Sequence, residues 1–139
     1  MQNIKCYLNF NGQCRDAMNF YKDCFNGELE LMTFEGSPMA AQMPAAAAQG
    51  VMHSTLTMPN GTSLMASDGM PGQEPTSNGG PVTLYLECAS LEQQQQYFNA
   101  LSQGGTVTMP LEDTFWGSRF GQLTDKFGIN WMFDHALPK

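Results

Sequence analysis

Basic residues are scarce in this chain. Six lysines and arginines stand against thirteen acids, a formal net charge of −7, and the six (Lys5, Arg15, Lys22, Arg119, Lys126, Lys139) are scattered. A nucleic-acid surface needs bases gathered into a stripe that releases counterions from phosphates, so nucleic acid is not an expected partner. Long apolar runs are also missing: none approaches the roughly 18 residues of a spanning helix, and no membrane partner is expected. The opening MQNIKCYLNF lacks the basic start and continuous apolar stretch of a signal peptide. Cys6, Cys14, Cys24 and Cys88 form no C-x-x-C pair. A reducing cytoplasm is therefore the expected compartment. Histidine is limited to His53 and to His135 near the C-terminus, which is expected to be exposed.

What is present reads as one globular unit. The chain has 139 residues, 42% hydrophobic, with eleven methionines that suit an adaptable interior or a soft ligand-facing surface. KCYLNF alternates as a strand, and the following CRDAMNFY puts Cys14, Ala17, Met18 and Tyr21 on one helical stripe. Asn26-Gly27 stops that helix, and GELELMTF, VMHSTLTM and TSLMASD follow as strands, the last two joined at Pro59-Asn60-Gly61. The second half repeats the order. VTLYLEC is a strand, Ser90-x-x-Gln93 is a capping box, and LEQQQQYFNALSQ is a helix ending at Gly104-Gly105. TVTM, WGSRFGQLTD and GINWMFD complete it, the last two as a hairpin in which Gly128 stands where Gly61 stands in the first half. The spacing predicts an internal duplication of βαβββ modules, about 1–68 and 81–139, joined by a linker at 69–80. The stretch 35–49 is a long loop of the kind that serves as a lid or binding loop.

Y-L-x-F-x-G near the start, A-M-x-F-Y on the first helix, L-M-x-S-D closing the first module and T-F-W-G-x-x-F-G-x-x-T-D-x-F-G-x-x-W-M near the end resemble the PhnB-like branch of the vicinal oxygen chelate superfamily, which also holds glyoxalase I, extradiol dioxygenases and bleomycin resistance proteins. The resemblance implies an α+β fold: two βαβββ modules in one domain, each a curved half-barrel of mixed strands with its helix on the convex side and a cavity on the other. It also implies a homodimer. Proteins of this branch carry the label 3-demethylubiquinone 3-methyltransferase, but the sequence offers no strand, Gly-rich loop and helix to seat a methyl-donor nucleotide, which disfavours that activity.

Alternation sorts the strands into two faces. Leu8, Phe10, Met52, Leu56, Met58, Val82, Leu84, Leu86, Ile129, Trp131 and Phe133 are expected against the helices. Lys5, Tyr7, Asn9, His53, Thr55, Thr57, Thr83, Tyr85, Glu87, Asn130, Met132 and Asp134 are expected on the cavity side. The 67-residue repeat adds Phe120, Gln122 and Thr124 to the cavity side, and alternation adds Trp116 and Ser118. Gly117 and Gly121, flanking Arg119, are expected to clear the other face for a second backbone or subunit. The candidate ligand-binding residues are Tyr7, Asn9, Met65, Tyr85, Trp116, Phe120, Gln122 and Met132, with His53 and Glu87 as candidate acid-base groups. Metal-dependent relatives place ligands at positions held here by Lys5 or Cys6, Met65, Thr83 or Val82, and Met132. That set has neither two carboxylates nor two histidines, so no metal or other cofactor is expected. Three readings remain: a protein that binds a small organic molecule, a metal-assisted isomerase, lyase or dioxygenase with a divalent metal at His53 and Glu87, and a scaffold with no ligand at all. Whether any ligand is transformed is left open.

Overall fold

The computed structural model describes residues 5–10, 12–36, 49–68 and 81–137. Most of the long loop expected at 35–49, and the linker at 69–80, lie outside the described residues. Strand β1 (Tyr7–Phe10) leads into helix α1 (Cys14–Phe25), then β2 (Glu28–Thr33), a 3₁₀ turn (Phe34–Gly36), β3 (Val51–Thr57) and β4 (Ser63–Asp68). The order then recurs as β5 (Leu84–Glu87), α2 (Leu91–Ser102), β6 (Thr106–Asp113), β7 (Ser118–Thr124) and β8 (Asn130–Ala136). Two open four-stranded sheets result, β1-β4-β3-β2 and β5-β8-β7-β6. The first pair in each is parallel and the others antiparallel. The chain divides into compact units, Met1–Pro75 and Thr76–Lys139, one sheet and one helix in each.

The duplication is visible residue by residue. Tyr7 lies opposite Met65 in the first parallel pair and Tyr85 opposite Met132 in the second. The hairpins Met58 to Thr62 and Asp125 to Ile129 close alike: the first residue's N–H donates to the last residue's carbonyl, and a glycine with positive φ (Gly61 at 92°, Gly128 at 87°) donates back to the first. That backbone region strongly favours glycine.

Each helix covers one face of its own sheet. In α1 the expected stripe is buried, with Phe25 added, and Asn26 ends the helix in the left-handed region at φ 55°. Gln13 provides no side-chain cap at its start. Asp68 does so from β4: its Oδ1 accepts from the N–H of Gly12 (2.8 Å) and Cys14 (3.0 Å), and its Oδ2 from that of Val51 (2.9 Å). Helix α2 carries its own capping box, Ser90 Oγ accepting from Gln93 N–H and Gln93 Oε1 from Ala89 N–H. In the second unit Leu123, Trp131 and Phe133 pack with Phe98 and Leu101 of α2 in the core. Phe98 meets Phe133 edge to face at 5.2 Å.

Four expectations need correction. Val82 is 64% exposed, because β5 begins only at Leu84 and Val82 precedes the packed sheet. Beside Leu56, Val51 and Ser54 are buried on β3 while Met52 and Met58 are only half-buried; a bulge between Met32 and Thr33 shifts the register beside Val51 and breaks simple alternation. Strand β6 runs on through Pro110 to Asp113. It lies at the edge of its sheet, where the N–H that proline lacks need not pair. The flanking glycines also differ from expectation. A side chain at Gly117 would meet nothing within 4 Å, and this residue serves a turn with φ 91°. Gly121 alone makes room, for the β6 backbone and Leu111 beside it and for Phe98 of the protein's own helix. A Cβ there would lie 2.8 Å from Leu111 Cδ2, 3.0 Å from Phe98 Cε2 and 3.1 Å from Met109 O. Gly121→Ala is therefore expected to lower stability by about 1–3 kcal/mol, read from the midpoint of chemical denaturation.

Candidate functional site

The candidate site lies on the second unit's sheet, on the face away from α2. Cross-strand register there sets out two rows. Glu87 on β5 lies opposite Asp134 on β8, which lies opposite Phe120 on β7, which lies opposite Glu112 on β6. Beside it run Tyr85, Met132, Gln122 and Met109. Neighbours within a row are about 5 Å apart, within reach of one another's side chains. Phe120, Gln122, Met132, Tyr85 and Glu87 thus share one face, as alternation predicts.

Trp116 reaches this face by a different route. It sits in the turn before β7, one residue ahead of Gly117. Thr114 closes that turn: its Oγ1 and N–H both donate to the carbonyl of Ser118, and Gly117 N–H donates to Thr114 O. Threonine and glycine therefore make the turn, and Trp116 is left 53% exposed, edge to face with Phe120 at 5.8 Å and with Phe115 at 5.1 Å. Phe115 at the tip is 97% exposed.

Tyr85 donates its hydroxyl to Asp134 Oδ2 at 2.6 Å. That bond first, then desolvation and the nearby Asp134 and Glu87 carboxylates, push its phenol up to about 12, so it stays a donor at neutral pH. Asp134 Oδ1 is buried without a hydrogen-bond partner among the described residues. Alternation places Asp134 on this side, but its pairing with Tyr85 depends on contact between strands 49 residues apart, which spacing does not reveal.

Arg119 faces the helix instead. Its Nη2 donates to Gln95 Oε1 at 3.1 Å, and its carbonyl accepts from Gln94 Nε2 at 2.7 Å, so it fastens α2 to β7. His135, expected exposed, is half-buried, and its Nδ1 lies 2.8 Å from the carbonyl of Cys88. A carbonyl can only accept, so Nδ1 carries the proton and the ring ties β8 to the end of β5. Burial pushes the Cys14 and Cys88 thiols each up to about 11, with Asp134 adding to the rise at Cys88, so neither is an activated nucleophile.

The first unit offers a paler version of the same face. Tyr7 and Asn9 on β1 lie opposite Met65 and Ser67 on β4. His53 is exposed on β3, its Nε2 3.3 Å from Thr55 Oγ1 and its ring 6.0 Å from Tyr7. His53 and Glu87 belong to different units. As for the superfamily's metal, Met65 pairs with Tyr7 and Met132 with Tyr85. Thioether and phenol do not make a site for a hard divalent ion. Among the described residues no three His, Cys, Asp or Glu side chains come together as a ligand set.

Paired βαβββ units, each a mixed sheet of order 1-4-3-2 with a helix on one face, define an α+β protein of the glyoxalase-like class. Residues 2–133 match the model of the 3-demethylubiquinone-9 3-methyltransferase family, and the chain belongs to that family, the PhnB-like one, with the fold shared by glyoxalase-family proteins of the vicinal oxygen chelate type. The crystal structure of protein PA1353 from Pseudomonas aeruginosa is 37% identical, with a TM-score of 0.85 over 99% of this chain and 100% of that one. The PhnB protein from Bacillus cereus is 28% identical, with a TM-score of 0.77 over 97% and 100%. Protein YjdN of Escherichia coli strain K12 is 32% identical over 140 residues, 92% of this chain and 91% of its own.

Proposed function

We propose that this protein binds a small organic molecule on the helix-free faces of its sheets, with the second unit's face as the principal site. The observation that supports this most is the exposure of Trp116 and Tyr85, both more than half open, on or above one polar-aromatic face. Large apolar groups gathered on one surface mark a place that something else covers. In this reading Trp116, backed by the buried Phe120, stacks on the ligand, Met132 adapts to its shape, and Tyr85, Glu87 and Gln122 supply hydrogen bonds. Tyr7, Asn9, Met65 and His53 do the same on the first unit's face, His53 as an anchoring donor or base.

Methyl transfer is not part of the proposal. The amides at the start of α1, which a nucleotide loop would offer to its ligand, are taken by Asp68. A thermal-shift screen against a broad metabolite set tests the reading, since a ligand that binds only the folded state raises Tm. Stabilisation by at least one small organic compound is expected; none across the screen would overturn it. Stoichiometric zinc, iron, nickel or manganese in protein purified without an affinity tag would replace it by a metal-assisted isomerase, lyase or dioxygenase.

The working form in this proposal is a cytoplasmic homodimer. No helix among the described residues is long and apolar enough to cross a membrane. The terminal strands of each sheet pair on one side only within that sheet, and a second copy protects such edges and covers Phe115. Sedimentation is expected to give twice the chain mass of 15.3 kDa at micromolar concentration; a stable single-chain species would contradict it.

A further inference from the structure

We propose that the ligand of the second unit's open face is an organic cation, a primary or secondary ammonium attached to a small apolar group. This rests on the reading of that face as a ligand site and adds the charge and donor chemistry of what it takes. The 67-residue repeat sets His53 against Phe120, and the parallel pairs set Asn9 against Glu87 and Ser67 against Asp134. The row is uncharged or weakly basic in the first unit and carries three carboxylates, Glu87, Asp134 and Glu112, in the second.

Glu87 and Asp134 stand directly opposite each other on neighbouring strands. Like charges in that position repel. The second unit's described arginine and lysine are engaged elsewhere: Arg119 bonds Gln95 on the helix side, and Lys126 lies in the β7–β8 turn over Phe127. Asp134 has a second unmet demand, the buried Oδ1 without a donor. A lone acceptor of that kind costs stability until an N–H reaches it. Tyr85, which holds the other oxygen, is 54% exposed. Phe120 lies in the same row between Asp134 and Glu112, with Trp116 against it. Aromatic faces attract cations. An ammonium meets these demands together: its charge offsets the carboxylate row, its N–H donates to the Asp134 carboxylate, and its apolar substituent lies on Trp116, which the buried Phe120 ring backs. An anion would face the repulsion of the whole row.

Titration of the protein with phenethylammonium, 2-phenylethanol and 3-phenylpropanoate tests this, read on the Trp116 indole N–H by ¹H–¹⁵N NMR with the buried Trp131 indole as internal control. The ammonium is expected to shift the Trp116 signal saturably, the alcohol to bind about tenfold or more weakly, and the carboxylate not to bind. Asp134→Asn should weaken the ammonium about tenfold and leave the alcohol unchanged. Glu87→Gln, at an exposed position where folding is not at risk, should weaken it severalfold. Equal binding of ammonium and alcohol, or an ammonium affinity indifferent to both substitutions, overturns the cation proposal while leaving the face as a ligand site. No movement of the Trp116 signal with any probe overturns both.

Discussion

Asp125→Ala should cost about 3–5 kcal/mol of stability, although the residue lies at a hairpin turn. Its carboxylate is 3% exposed and fully engaged. Oδ1 accepts from the backbone N–H of Phe127 (2.8 Å) and Ile129 (3.1 Å), and Oδ2 accepts from Trp131 Nε1 at 2.8 Å. Alanine leaves two turn amides and a buried indole N–H without these partners, and each buried donor stranded in this way costs about 1–3 kcal/mol. Water reaches the half-buried turn amides and recovers part of the loss, which keeps the total below a simple sum. Asp125→Asn should fall between the two, because one amide oxygen still accepts while the NH2 group faces a donor. Urea denaturation measures both. A loss under about 1 kcal/mol for the alanine variant would show that the carboxylate does not hold the turn to the core.

Trp131→Ala should be as damaging for a different reason. The ring is 4% exposed on the helix side of β8, between Leu84 and Leu123 on the neighbouring strands. Removing a buried aromatic costs about 3–5 kcal/mol through lost transfer energy and the cavity left behind. Its nitrogen also leaves Asp125 with one donor fewer. Trp116→Ala removes the same side chain from a half-open position above the other face. It should cost about 1 kcal/mol or less and lower Tm by only a few degrees. The two tryptophans thus separate architecture from candidate site within one sheet.

How far the sequence predicts this can be judged residue by residue. The α1 stripe and the faces of β1 and β8 follow from periodicity alone, because each segment is long enough, or flanked by clear enough stops, to fix its phase. The motif around Thr114 to Met132 divides into parts with different jobs. Thr114 and Gly117 make a turn, Gly121 admits Phe98, and Asp125 ties the next turn to Trp131; Trp116 packs on Phe120 and stays half-exposed. Periodicity fails where a bulge shifts the register, as at Val51, and where a strand starts late, as at Val82. It cannot supply pairings between distant strands. Asp68 as the cap of α1, and Asp134 as the partner of Tyr85, emerge only when β4 and β8 lie beside β1 and β5. For the candidate site, alternation selects the face, and strand register shows which residues on it meet.

The most direct test of the central claim, that the face carrying Trp116 and Tyr85 is a ligand surface, is to take a compound that stabilises the wild-type protein and measure its thermal shift on Trp116→Ala. The account predicts a variant that folds with nearly wild-type Tm and no longer responds to the compound. A variant that responds as strongly as the wild type would contradict it and leave Trp116 as an exposed ring on a structural turn.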